Sequence, residues 1–188
     1  MHKNLSLLPN YWFWKGAIPG KVVDCLLEEV SDDQLFKGTT HQTVEFGYEK
    51  NPDVRKSDIM LFESRHWFAG ALSNIALESN INAGWQLAVT QPDALQVAYY
   101  GPEQYYDWHP DSILFTSEPM IRKLTVICML TNRSEYEGGI LELEETDPID
   151  FDKGDVIVFP SILKHRVTPV KSGLRKTATM WIIGNRRW

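Results

Sequence analysis

Four side chains in this sequence form a chemically coherent set: His109 and Asp111, separated only by Pro110, then His165, then Arg175 ten residues further on. Residues two apart on a strand point to the same face, so His109 and Asp111 can grip one metal ion while Pro110 faces away. A second imidazole from the distant His165 completes the grip. Two histidines and one carboxylate on one face of Fe(II) leave coordination positions open for a bidentate co-substrate and O2. Arg175 adds a permanent planar cation able to hold a carboxylate through two parallel hydrogen bonds. The set therefore points to a mononuclear iron oxygenase that uses 2-oxoglutarate. The same ligands could also serve a zinc or other divalent-metal hydrolase, or a non-catalytic metal-binding sensor, because similar ligand sets bind several metals.

The surrounding sequence must position these groups. Leu95 to Tyr100 reads as a strand, Gly101-Pro102 punctuates it, and Tyr105-Tyr106-Asp107-Trp108 leads into His109, placing the first ligand pair at a strand edge. Gly154-Asp155 reads as a turn, Val156 to Phe159 as a buried strand, and Pro160 as its stop, with a short loop delivering His165. Lys171-Ser172-Gly173 then suggests a hairpin turn. If it is centred near Ser172, His165 and Val167 lie opposite Thr179 and Thr177, and Arg175 shares their face. That reading depends on register, because a slip of one residue turns a whole strand over.

Several stretches together resemble the prolyl and lysyl hydroxylase-like (PKHD-type) 2-oxoglutarate/Fe(II) oxygenases. They are Tyr100-Gly101-Pro102, Tyr106, His109-Pro110-Asp111, the strand Arg122 to Val126, Tyr136-Glu137-Gly138-Gly139-Ile140-Leu141, Gly154-Asp155, His165 to Val170, and Gly173-x-Arg175. The resemblance covers Leu95 to Trp181 and implies that His109, Asp111 and His165 ligate iron. It further implies that Arg175 binds the distal carboxylate of 2-oxoglutarate and that the Tyr100 phenol hydrogen-bonds the same co-substrate; Thr177 joins the pocket wall, and so the candidate co-substrate residues, through the hairpin register given above. No role beyond structure passes to the Gly138-Gly139 turn. The implied reaction consumes O2, decarboxylates 2-oxoglutarate to succinate and CO2, and places a hydroxyl on an unactivated carbon. A prolyl residue of a peptide or protein is the first substrate expected, and a free amino acid or other small molecule the chief rival. Repair-type demethylation of nucleic acid is disfavoured because Lys176 to Trp181 lacks that branch's second arginine. A requirement for ascorbate is left open.

Composition is that of an ordinary folded domain: 188 residues, 43% hydrophobic and 23% charged. The length is most simply one domain spanning 1–188, with helical support over about 1–84 and a strand-built core over about 85–188. Pro19 can open a helix carrying Val22, Val23, Leu26, Leu27 and Val30 at helical spacing, and a second begins near Ser64 with Trp67, Phe68, Ala71, Leu72, Ile75 and Ala76 on one side. Lys50 to Asp53 reads as a loop of unassigned role. Strand candidates follow at Trp85 to Val89, Leu95 to Tyr100, Lys123 to Leu130, Ile140 to Glu144, Val156 to Phe159, His165 to Val170 and Arg175 to Ile183. Short strands after two helices, with no strand–helix alternation, argue for a mainly β jelly roll braced by helices, which the resemblance sharpens to a double-stranded β-helix.

The remaining residues have quieter readings. Tyr99, Tyr105 and Trp108 pack strands, Tyr106 stands on the pocket wall, Arg122 and Lys123 begin a solvated strand, and Trp181 packs the core. His2, His41 and His66 lack ligand spacing, and Asp107 is off the motif's parity. A formal charge of −6 disfavours a phosphate-tracking surface, so no nucleic-acid partner is expected. Two cysteines, no leader-like segment and no membrane-length apolar run suggest a cytoplasmic protein without a membrane partner. Oligomeric state is not legible.

Overall fold

Pro19, with its φ of −56°, caps helix α1 (Gly20–Glu28), which buries Val23 and Leu26 as the apolar spacing predicts. Helix α2 (Trp67–Asn82) begins three residues after the predicted start, because His66 serves as its cap, accepting at Nδ1 from the Phe68 amide. Phe68, Leu72 and Ala76 on α2 are fully buried. The computed structural model describes residues 8–38, 54–112 and 118–186; His2, His41 and the predicted loop at Lys50 to Asp53 lie outside the described residues. Among those described, no helix is long and apolar enough to cross a membrane.

Among the described residues thirteen strands carry the rest: β1 (Trp12–Trp14), β2 (Phe36–Lys37), β3 (Arg55–Lys56), β4 (Asp58–Phe62), β5 (Gln91–Tyr100), β6 (Tyr105–His109), β7 (Met120–Met129), β8 (Tyr136–Gly138), β9 (Leu141–Leu143), β10 (Val156–Pro160), β11 (His165–Val167), β12 (Val170–Gly173) and β13 (Arg175–Asn185). Their pairings are antiparallel. Seven strands form a large sheet in the order β1-β10-β7-β13-β5-β4-β2, four form a smaller one in the order β3-β6-β11-β9, and β12 pairs with β8. This is the mainly β jelly roll expected.

Two cores lie on opposite faces of the large sheet. Leu95, Val97, Val126, Val158 and Met180 pack against α1 and α2, whereas Ala98, Tyr100, Ile127, Met129, Ile157 and Phe159 face the smaller sheet. Strand parity assigns Arg175 and Thr177 to this second, inner face, since Arg175 pairs with Tyr100 and Thr177 with Ala98 and Met129.

Several expectations need correction. The stretch before residue 84 is not helical support alone, for it contributes β1 and β2 to the two edges of the large sheet, β4 between β2 and β5, and β3 to the edge of the smaller sheet beside β6. Those strands are too short or too irregular to show a clear period of two. Trp85 to Val89 forms no strand; its backbone is tied instead to Asn80, whose side chain bonds both the amide and the carbonyl of Leu87. Lys123 is fully buried, because it lies on the central strand β7 and not at a solvated edge.

The predicted hairpin is also absent. His165 and Val167 do not face Thr179 and Thr177; β11 sits between β6 and β9 in the smaller sheet, β12 pairs with β8, and the chain then crosses to the large sheet as β13. Ten residues suffice for a sheet-to-sheet crossing as readily as for a hairpin.

Candidate active site

Strand β6 delivers His109 at its last residue, and Pro110, which has no amide to donate, ends the ladder there. Asp111 is therefore just past the strand and not on its next same-face rung; its amide is fixed by the Ser161 carbonyl at 2.9 Å. Strand β11 delivers His165 directly opposite His109. The imidazole Nε2 atoms of His109 and His165 lie 3.7 and 3.4 Å from the two oxygens of Asp111. One ligand atom from each of the three residues falls within 4.8 Å of the others.

Hydrogen bonds orient the rings. His109 Nδ1 sits 2.7 Å from the Asp107 carbonyl and His165 Nδ1 3.1 Å from the Leu163 carbonyl, so each Nδ1 carries the proton and each Nε2 presents a lone pair to the common space. Burial, reinforced by the neighbouring His165, pushes His109 down to about 3, leaving it neutral and ready to coordinate. Burial pushes the Asp111 carboxyl up, but His165, His109, Trp181 and Thr125 together hold it below the usual carboxylate range. Thr125 donates to Asp111 at 2.8 Å and is itself within 2.9 Å of the Ser161 hydroxyl. The Trp181 indole N–H is near enough to influence Asp111, yet it is buried without a hydrogen bond of good geometry.

Arg175 enters from the opposing sheet and is 1% exposed. Its guanidinium carbon lies 5.4 Å from the Tyr100 ring centre, its Nε has no partner, and no acidic side chain among the described residues pairs with it. A buried cation without an anion is costly unless an anionic ligand completes it. Thr177 is two residues along on the same inner face and equally buried. Three convergent neutral or anionic donors fit Fe(II), and an unpaired buried guanidinium fits the far carboxylate of a dicarboxylic 2-oxo acid.

Comparison with known proteins agrees with this donor set. Residues 95–183 match the 2OG-Fe(II) oxygenase superfamily. A PKHD-type hydroxylase of Colwellia psychrerythraea is 31% identical over 139 residues, which is 62% of each chain. Over this stretch the chain is similar to the PKHD-type 2OG-Fe(II) oxygenases. It spans 36% to 62% of the length of the PKHD-type relatives it matches. In fold it is similar to the viral collagen prolyl hydroxylase of Paramecium bursaria Chlorella virus-1 in its 2OG complex, with a TM-score of 0.73 and 22% identity, covering 94% of this chain and 97% of that one. A Pseudomonas putida prolyl-4-hydroxylase gives a TM-score of 0.72 at 19% identity, covering 95% and 94%.

Within this fold the other predicted residues separate by face. Tyr106 stacks on His109 with ring centres 3.4 Å apart, whereas Tyr99 packs toward the helices. Asp107 is not among the converging ligands, although its carbonyl orients one of them. His66 clasps the helices, bonding Glu29 at 2.9 Å.

Sequence reasoning missed Thr125, Ser161, the approach of Trp181 to Asp111, and Arg55. Arg55 lies over Tyr106 at 4.7 Å, bonds Ser57 and Gln96, and leaves Nη2 buried without a partner at the rim of the site. Nothing in local spacing marks these groups, since each reaches the site through non-local strand pairing.

Proposed function

We propose that this chain is a 2-oxoglutarate- and Fe(II)-dependent dioxygenase that hydroxylates a prolyl residue of a peptide or protein. One juxtaposition carries the reading: three metal-ready ligand atoms converge from the smaller sheet, while a fully buried guanidinium with no acidic partner among the described residues faces the same interior from the larger one. His109, Asp111 and His165 hold Fe(II), Arg175 holds the distal carboxylate of 2-oxoglutarate, and the Tyr100 hydroxyl and Thr177 line the co-substrate's pocket. Bound iron, 2-oxoglutarate and O2 supply the oxidising power for replacing C–H by C–OH, with succinate and CO2 as by-products.

The chain's own residues do the rest. The backbone bonds to both imidazole Nδ1 atoms keep their Nε2 lone pairs aimed inward. Thr125 and Ser161 keep the Asp111 carboxylate from rotating. Phe159, edge-on to His165 at 4.8 Å, and the Tyr106 stack on His109 keep water from the rings. The prolyl preference draws on the similarity to two proteins named as prolyl hydroxylases.

The first test is an anaerobic titration with Fe(II) and 2-oxoglutarate, for which the visible charge-transfer absorption of the chelate is expected; its absence overturns the assignment. The second is a mass screen of proline-containing peptides and of free amino acids, with and without ascorbate. A gain of one oxygen on peptidyl proline is expected, and a gain confined to free amino acids overturns the substrate class.

A further inference from the structure

We propose that Gly139 and Tyr136 are positioning residues for Arg175, forming a seat that sets where its guanidinium meets a distal carboxylate and hence the preference for a dicarboxylic over a monocarboxylic 2-oxo acid. The proposal rests on the oxygenase reading above.

The seat is built where β8 ends. Gly139 adopts φ +56°, and a Cβ placed on it would lie 2.8 Å from Arg175 Cδ, 3.0 Å from Val170 Cγ2 and 3.5 Å from Tyr136 Cε2. The aliphatic shaft of Arg175 therefore runs against bare backbone, with no room for a methyl group. The turn that supplies this backbone is itself fixed, since the Gly139 amide donates to the Pro169 carbonyl at 3.1 Å and Gly138 pairs with Val170. Tyr136 closes the other side. Its hydroxyl is directed at Met129 Sδ at 3.9 Å, and its oxygen favours the charged guanidinium. Arg133 pins the tyrosine from outside, donating to its carbonyl at 2.7 Å with its guanidinium 4.7 Å above the ring.

The arrangement sets the guanidinium 5.4 Å from the Tyr100 ring centre and beside the Tyr136 hydroxyl, and no acidic side chain among the described residues pairs with it. Such a cation is available only to something that enters the pocket. Moving it by a fraction of an ångström breaks the two parallel bonds an arginine makes to a carboxylate, whereas the iron-chelating end of a 2-oxo acid is untouched.

Gly138 provides the contrast. It has φ +75°, and its Cβ would strike the Pro169 carbonyl at 2.4 Å, with Lys171, not Arg175, as its next nearest neighbour. Strain in the turn and displacement of Arg175 are thus separable.

The experiment compares anaerobic binding of 2-oxoglutarate and of 2-oxopentanoate, which replaces the distal carboxylate by a methyl, to the Fe(II)-loaded protein, read from the visible chelate band. Tyr136→Phe, which keeps the ring and the fold, and Gly139→Ala should each weaken 2-oxoglutarate by about tenfold, the scale of one charge-assisted hydrogen bond. Both should leave 2-oxopentanoate within about twofold and Fe(II) affinity unchanged, because neither residue touches the metal end. Gly138→Ala should lower the melting temperature without altering the ratio of the two affinities. Equal losses for both acids, or no loss for either, overturn the proposal. If Gly139→Ala does not fold, Tyr136→Phe alone decides. A wild-type protein that forms the chelate yet fails to prefer 2-oxoglutarate overturns the role of Arg175, and the proposal with it, whereas no chelate at all overturns the oxygenase reading.

Discussion

His109 bears the plainest imprint of its surroundings. Its imidazole, ordinarily near 6.5, is pushed down to about 3 by burial and by His165. In the metal-free protein the unfolded chain binds a proton below 6.5 that the folded chain refuses, so stability is retained above that point and lost as the pH falls from there toward 3. The depressed Asp111 acts in the same direction, its contribution disappearing as acid protonates it. Melting temperature without metal should therefore fall between about pH 7 and pH 5, and more shallowly in His109→Gln. Thr125→Val removes the donor that orients Asp111. Fe(II) affinity should drop by about ten- to a hundredfold, as outer-shell losses usually do, and calorimetric titration would show it. Replacing His109, Asp111 or His165 by Ala should abolish iron-dependent turnover, while Arg175→Ala should chiefly weaken 2-oxoglutarate.

Among the elements, α1 and α2 meet through one clasp. Glu29 accepts from Trp67 Nε1 at 2.6 Å and from His66 Nε2 at 2.9 Å, and these bonds hold its carboxyl below the ordinary range. Glu29→Ala should cost about 1 kcal/mol by denaturant titration, the scale of such partly exposed bonds, without affecting Fe(II) affinity. Both helices were legible from apolar spacing, because a helix's buried stripe is a local property of its own sequence. Strands β2, β3 and β4 were not, since two to five residues carry too little periodicity to be read without their partners. Arg55, on β3, was lost with them.

For the molecule as a whole, the large sheet is a wall between a load borne by helices and a site borne by strands. Leu72 and Phe159 are both fully buried but lie on opposite sides of it. Leu72→Ala should destabilise by about 2–5 kcal/mol while the folded fraction keeps its affinity for Fe(II). Phe159→Ala should destabilise by about 3–5 kcal/mol and also weaken the metal, because it removes the ring packed edge-on to His165. A loss of Fe(II) affinity in Leu72→Ala equal to that in Phe159→Ala would show that the two cores are not separable.

The sequence by itself supplied the candidate donor set: two imidazoles, a carboxylate and a guanidinium are stated by residue type, and their order and spacing, with the family resemblance, pointed to a reaction class. The two helices and most long strands also followed from it, since periodicity is written within each segment. Only the tertiary structure decided that His165 and Arg175 reach the site from different sheets, that Thr125 and Ser161 brace Asp111, and that Gly139 lies bare beneath Arg175. Sheet membership is a relation between segments far apart in the chain. No single segment contains it, so local pattern could locate the reacting groups but not the surfaces that hold them.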